Sequence, residues 1–572
     1  MDHQFVLIAG AALAIMIAAS VFARRTGVAA PLLLVGLGIA ASYLPSTPVI
    51  HLEPEWVLAG VLPPLLYSSA VNLPVIDVRR NFWLISWLSV AMVIVSALVI
   101  GAVVHLLFPD ISFALAVALG AVVSPTDAVA ATAIGRRVGL PPRLMVVLEG
   151  ESLVNDASAL VVLRTALAAL AVTGEFSLGH TVLEFGWAVV GAAVIGSVTG
   201  WVTARLRERL DDPVLNTTIS FAVPFLAFFP AEEVEASGVL AVVVAGLVTG
   251  TMGSRRFSAR DRQTQTTTWT TISFILESAV FLAMGYQLPE FVNAARGETT
   301  LGRMTGLVAV VVALLVALRF LGLAWPALTS RFGTGDKGEQ ARARLDRFEE
   351  RLDARTPADE REEARLAAAR RRLERGKADV EFEEREPITA RGSLALAWAG
   401  MRGVVTVAAV QTIPVGTPNR ATIVLAAFFV ALITLVAFGL TLPAVITRLR
   451  FRAESPEERR DAFHALLRQV GESAVDALGP LEEQTIDGER IDPRLTAQMK
   501  ERILPRILTG AHQASAPKPG ALEQTLILQH RYLDAMRDAL SAERGIGAYS
   551  SETYRHVEDL LDTIEQRTTT RA

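Results

Sequence analysis

The 572-residue sequence contains no cysteine, which excludes disulfides, thiolate metal sites and cysteine nucleophiles. Lysine is almost missing: of 54 basic residues only Lys337, Lys377, Lys500 and Lys518 are lysine, a bias we attribute to genomic base composition. There is no excess of positive charge either. A net charge of -4 and a pI near 6.1 leave no footprint for a nucleic-acid partner. No phosphate loop, metal triad or nucleophile motif occurs outside the apolar runs. The most telling scarcity is of charge within long stretches of chain. Hydrophobic residues make up 52% of the sequence and the mean hydropathy is +0.41. The charged residues are pushed into short connectors, one central block and the tail. That distribution excludes a soluble enzyme, a secreted disulfide scaffold and a disordered chain, and predicts a polytopic helical membrane protein with appended soluble segments.

Runs close to the ~20 apolar residues that a membrane helix requires lie near 5–22, 28–44, 56–71, 82–108, 111–134, 144–172, 180–206, 214–230, 233–250, 268–288, 303–329, 393–413 and 421–446. Arginine orients them. Connectors after odd-numbered runs carry Arg24, Arg25, Arg79, Arg80, Arg136, Arg137, Arg143, Arg205, Arg207, Arg209, Arg255, Arg256, Arg260 and Arg262. Those after even-numbered runs are nearly free of it, with Arg296, Arg303 and Arg420 the exceptions. About fourteen against three predicts an N-terminus outside and a cytoplasmic C-terminus. Asp2 precedes the first run and Arg24-Arg25 follow it, the reverse of a secretory leader, so this run is expected to be retained.

Residues 331–392 read as a cytoplasmic insert of two polar helices broken at Thr356-Pro357, and 451–572 as a cytoplasmic helical tail of mixed charge. The insert suits either a solvated spacer with salt-bridged faces or a dimerising coiled coil. Neither segment carries a recognisable binding motif.

An ionisable side chain in hydrocarbon costs about 2.5–3.5 kcal/mol even on the lenient insertion scale. Asp127, Glu149, Glu151, Asp156, Arg164, Glu277, Arg319 and Arg402 all fall inside the runs, so each demands a partner or a water-filled cavity. In SPTDAVA of the fifth run, Pro125 removes an amide donor beside Asp127 and predicts a break in the helix. Unwound backbone at membrane depth is tolerated where it lines a cavity, and broken helices facing an ion mark secondary transporters. A simple proline kink accounts for Pro125 but not for the carboxylate next to it.

In EGESLVNDASALVV of the sixth run, Glu149, Ser152 and Asp156 fall within about 60° of helical arc, with Glu151 and Asn155 on the adjacent face. One face therefore offers oxygen ligands and a titratable acid of the kind a hard cation takes. The other suits structural pairing. Arg402 sits between Gly400 and Gly403 in the twelfth run, and Arg319 lies in the eleventh. An intramembrane acid–arginine pair is expected, with either arginine as the partner of Glu151.

Taken together and in order, SPTDAVA, EGESLVNDASALVV and WAGMRGVVTVAAV resemble the monovalent cation:proton antiporters, and within them the electroneutral sodium/proton exchanger branch with Asn-Asp on its sixth helix. The resemblance covers about residues 1–450. It implies an all-α fold of about thirteen transmembrane helices in two inverted repeats with discontinuous crossing helices, assembled as a homodimer in the lipid bilayer of the plasma membrane. It implies Asp156 as principal carrier of cation and proton, helped by Asp127, Ser152 and the backbone at Thr126. Asn155 would support Asp156, and Glu151 would pair with Arg402 or Arg319. Two departures stand out. Family members often carry an acid on the third helix, where LPPLLYSSAV has Tyr67 and Ser68. Glu277 stands where bacterial relatives often have asparagine, and looks like the acid of the animal exchangers. Glu149, Glu277 and Ser68 are thus accessory candidates.

The expected activity is exchange of Na⁺ or Li⁺ for H⁺, serving pH and sodium homeostasis with no cofactor. Both ions compete for one carboxylate under alternating access. Asn155 in place of a second acid predicts an electroneutral 1:1 cycle. K⁺ alongside or instead of Na⁺ is the alternative, because nothing in the sequence sets an ionic radius. A passive cation channel and an intramembrane aspartyl protease are more distant readings. The protease needs two acids sharing a proton, and neither Thr126-Asp127 nor Asn155-Asp156 gives the Tyr-Asp or Gly-x-Gly-Asp context.

Overall fold

In a computed structural model the chain is nearly all helical. The structure describes residues 3–26, 29–44, 54–171, 178–210, 212–355, 359–451, 456–479, 484–486, 489–490, 493–498 and 521–569. The apolar helices are α1 (His3–Thr26), α2 (Ala30–Ser42), α3 (Trp56–Asn72), α4 (Phe82–Leu107), α5a (Phe113–Val123) with α5b (Ala128–Val138), α6 (Pro142–Ala171), α7 (Leu178–Arg207), α8 (Pro213–Glu233), α9 (Gly238–Arg256), α10 (Ala259–Tyr286), α11 (Leu301–Asp353), α12a (Ala390–Trp398) with α12b (Val404–Gln411), and α13 (Arg420–Leu449). Among the described residues eight helices are long and apolar enough to cross a membrane, and α1, α2, α3 and α9 supply shorter apolar stretches. With the two-part α12, every apolar run of the sequence is a helix. Helices are the form expected there, since a spanning segment must satisfy its own backbone hydrogen bonds.

Chain contacts divide the protein into two compact units. The first comprises residues 1–252, 265–332 and 388–452. Its interior falls into two apolar clusters. One gathers residues of α4, α5, α11, α12 and α13; the other gathers α3, α8 and α9. Among the buried members, two helices belong to both. On α6, Val147, Leu148 and Leu163 pack in the first cluster while Leu153 and Ala157 pack in the second. On α10, Trp269 joins the second cluster, and Phe281 and Met284 join the first. Both helices therefore lie along the seam.

The second unit comprises 253–264, 333–387 and 453–572. Here α14 (Pro456–Leu478), α15 (Ala521–Ile546) and α16 (Ser551–Thr569) enclose a small core that includes Leu466, Val470, Met536 and Leu561. The polar end of α11 is joined to the helix Glu360–Arg385 by ion pairs of Arg342 with Glu384 and of Lys377 with Glu349. The first insert helix is thus not separate but prolongs α11, and it shares a unit with the tail. Residues 356–358, which include the expected break, lie outside the described residues. Arg262 pairs with Asp562, which also accepts from Arg537. Thr485–Ile486 and Glu489–Arg490 form a two-stranded antiparallel ribbon.

In the first unit, α2 crosses α10 at van der Waals contact of the two backbones. A Cβ at Gly38 would lie 2.1 Å from the Leu282 carbonyl oxygen, and one at Gly285 would lie 2.1 Å from that of Val35. Close approach through small residues is how membrane helices associate when no hydrophobic force separates protein from lipid. Replacing Gly285 or Gly38 by Val should cost about 3 kcal/mol, the upper end for overpacking. Gly10, with nothing within 4 Å of its virtual Cβ, should accept the same change. Thermal unfolding of the detergent-purified variants checks this.

Candidate ion-binding site

The fifth helix breaks at residues 124–127, where Pro125 has no amide to donate. Each resulting half-helix end finds a partner. Ser124 Oγ donates to the Gly120 carbonyl at 2.6 Å, and the Val123 carbonyl at the end of α5a accepts Arg402 Nε at 2.9 Å. A guanidinium at a helix C-terminus meets its unsatisfied carbonyls and the negative end of its dipole. At the start of α5b, Asp127 Oδ1 accepts the Val129 amide at 2.8 Å, and Ser152 Oγ accepts the Ala128 amide at 3.2 Å. Asp127 thereby acts as an N-cap with one carboxylate oxygen, leaving the other outside that bond.

The twelfth helix breaks at residues 399–403. The two breaks cross: the Asp127 amide donates to the Met401 carbonyl at 2.7 Å, a bond between unwound segments far apart in sequence. Gly403 lies against the Asp127 carboxylate, where a Cβ would come within 2.2 Å of Oδ2. Only glycine fits there without moving the acid.

Asp156, on α6, is 6% exposed. Among the described residues its carboxylate has no hydrogen-bond or ion-pair partner, and the charged group whose field it feels is Asp127, of the same sign. Burying a charge without a partner is strongly unfavourable, so such a carboxylate takes up either a proton or a cation. Its neighbour Asn155 donates from Nδ2 to Thr126 Oγ1 at 3.0 Å, while Oδ1 is buried without a partner. An orphaned buried acceptor costs about 1–3 kcal/mol, which a donor or a cation at this point removes.

The remaining sequence candidates sort by partner. Glu151, 1% exposed, accepts both terminal nitrogens of Arg319, the Nη2–Oε2 bond being 3.0 Å, and also the Thr126 hydroxyl at 3.1 Å. Arg319, and not Arg402, is its bidentate partner. Thr126 Oγ1 is therefore committed to Glu151 and Asn155, and its carbonyl, in a long 3.5 Å bond from Asn155, is the oxygen left with spare acceptor capacity. Glu149 pairs with Arg136 at 2.8 Å. Arg164 pairs with Glu232 at the end of α8. Ser68 accepts a hydrogen bond from Ser273 at 2.9 Å. Nothing in the sequence singles out Ser273, whose bond to Ser68 forms only across helices. Nor did it assign Arg402 to the Val123 carbonyl.

Two interrupted helices that cross beside a buried, unpaired carboxylate define a secondary active transporter. The chain belongs to the family described as sodium/hydrogen exchanger, transmembrane, whose model matches residues 10–448. It is 27% identical to an uncharacterised Na⁺/H⁺ exchanger of Mycobacterium tuberculosis, over 97% of this chain and 94% of that protein. It is 34% identical to the sodium, potassium, lithium and rubidium/H⁺ antiporter of Bacillus subtilis, over 51% of this chain and 45% of that protein. The fold is similar to that of the sodium proton antiporter MjNhaP1 from Methanocaldococcus jannaschii. That match has a TM-score of 0.56 and 15% identity, and covers 78% of this chain and 99% of the other.

Glu151→Gln would leave Arg319 without its carboxylate in a buried setting, a loss of about 3–5 kcal/mol. The expected outcome is a lowered melting temperature, with the ion affinity of the surviving folded protein close to wild type. A stable variant with a raised apparent Km for Na⁺ would instead make Glu151 a ligand.

Proposed function

We propose that this protein exchanges Na⁺ or Li⁺ for H⁺ across the plasma membrane, one for one and without net charge movement, in pH and sodium homeostasis. The observation that carries this reading is the partnerless carboxylate of Asp156 at the crossing of the broken helices. A proton and a monovalent cation are alternative occupants there, because either one relieves the same desolvated charge. Asp127, Ser152 and the Thr126 carbonyl are the neighbouring oxygens in this reading, and Asn155 and the Glu151–Arg319 pair fix the backbone around them. Asn155 beside Asp156 leaves one exchangeable charge per cycle on α6, which favours a 1:1 stoichiometry. Residues 1–450 form the transporter domain, with the 331–392 insert and the 451–572 tail on the cytoplasmic side and the N-terminus outside, as the arginine distribution favours. Two copies assemble as a homodimer.

A K⁺(Na⁺)/H⁺ exchanger is the second reading. Ser68 puts a neutral hydroxyl where many family members have an acid, which weakens the field needed to dehydrate a small ion, and the named activity of the Bacillus subtilis relative includes potassium.

Reconstitution in proteoliposomes with an internal pH dye tests both readings. Na⁺ and Li⁺ added outside should collapse an acid-inside gradient, with K⁺ less effective, and Asp156→Asn should abolish the response while leaving insertion intact. Equal rates with K⁺ and Na⁺ would decide for the second reading. A wild-type response from Asp156→Asn would remove Asp156 as carrier. With voltage clamped by valinomycin in the Na⁺ assay, the rate should not vary with membrane potential; a dependence would rule out the 1:1 cycle.

A further inference from the structure

The two glycines in the break of α12 face different groups. A Cβ at Gly400 would lie 2.5 Å from Arg319 Nε and 2.7 Å from its Cδ. A Cβ at Gly403 would overlap the Asp127 carboxylate, with Asp127 Cβ and Cγ each at 2.6 Å. All of these are closer than a real Cβ stands, so a substitution at either glycine displaces its neighbour. Backbone conformation does not account for the glycine at 403, because its φ of -124° and ψ of -156° are extended. Moreover, Gly403 is the N-cap of α12b, where Ser, Thr, Asp or Asn would offer a side-chain cap that glycine lacks. What any of these would take away is the room beside Asp127.

That room matters because the rest of Asp127 is already held. Its amide donates to the carbonyl of Met401, two residues before Gly403, at 2.7 Å. Its Oδ1 accepts the Val129 amide at 2.8 Å. Among the described residues Oδ2 has no hydrogen-bond partner. The crossing of the two breaks therefore fixes where this oxygen stands, and Gly403 is the wall beside it.

We infer that Gly403 is a positioning residue that determines specificity: by lacking a side chain it sets the place of Asp127 Oδ2, and with it the size of monovalent cation that the site prefers. The inference rests on the exchange reading above, in which Asp127 supplies one of the oxygens near the cation. Discrimination between cations of one charge depends on the size of the cavity and on the number and rigidity of its oxygens. A small ion needs its oxygens to converge more closely than a large one does. An oxygen pushed off its place therefore weakens binding of the small ion more.

The test measures apparent Km for Li⁺, Na⁺, K⁺ and Rb⁺ in proteoliposomes for the wild type, Gly403→Ala and Gly400→Ala. Where a protein does not exchange a cation, the rise of its melting temperature with that cation gives the affinity instead. In Gly403→Ala the value for the smallest bound cation should worsen about tenfold relative to that for the largest. Gly400→Ala displaces Arg319 and not Asp127, so it should lower the melting temperature while keeping the wild-type ratio. A glycine needed only for close packing of the breaks would, on replacement, affect every cation alike. In an exchanging wild type, an unchanged ratio in Gly403→Ala, or one shifted towards the smaller ion, overturns the inference and leaves the exchange reading standing. An equal shift in Gly400→Ala does the same. A wild type that neither exchanges nor is stabilised by any cation overturns both. If Gly403→Ala does not fold, Asp127→Glu decides, since its extra methylene moves the same carboxylate with Gly403 in place: a changed ratio supports the inference and an unchanged one overturns it.

Discussion

A carboxylate buried among helices, with no basic side chain paired to it among the described residues, is the constraint on which the rest of the site depends. Asp156 is placed that way by Leu153 and Ala157, which tie its stretch of α6 to one apolar cluster while residues on either side pack in the other. A soluble protein would hydrate such a group, and a purely structural membrane helix would pair it. Here the surrounding polar groups are largely occupied with one another, Asn155 Oδ1 being an exception. Ser152 holds the start of α5b, Asn155 holds Thr126, and Thr126 holds Glu151. On the proposed reading, an exchangeable cation or proton is what completes the site.

The charges at membrane depth divide into two sets by what they touch. Glu151 and Arg319 neutralise each other through a bidentate contact, the arrangement in which a buried pair best recovers its desolvation. Arg402 is spent on the carbonyls that the breaks in α5 and α12 expose. These groups keep unwound backbone at membrane depth, which is tolerated only when every freed polar atom is satisfied or faces a cavity. Asp127 belongs partly to each set. One oxygen caps α5b, while Gly403 gives the carboxylate room that any side chain would take away.

The clusters on either side of α6 and α10 give the site its mechanical setting. Packed apolar clusters move as bodies more readily than they deform. Asp156 and Glu277 lie on these two shared helices, each between residues of the two clusters.

Much of this was decided locally. Pro125 has no amide to give and weakens the fifth helix locally, as Gly400 and Gly403 weaken the twelfth, although Pro224, Pro230 and Pro443 sit inside continuous helices. The apolar runs had to be helices, and the acids of SPTDAVA and EGESLVND were conspicuous because hydrocarbon penalises charge wherever it sits. Partner choice was a different matter. Arg319 and Arg402 are the same residue type, both within apolar runs, and only the three-dimensional path of α11 brings Arg319 onto Glu151 and leaves Arg402 for Val123. The Ser68–Ser273 bond, the commitment of the Thr126 hydroxyl, and the union of insert and tail in one unit all join residues distant in sequence. Periodicity and spacing report the environment of a single segment. Which distant segments meet depends on tertiary packing, because hydrogen bonds and ion pairs act only over a few ångströms and must wait for the fold to bring their partners together.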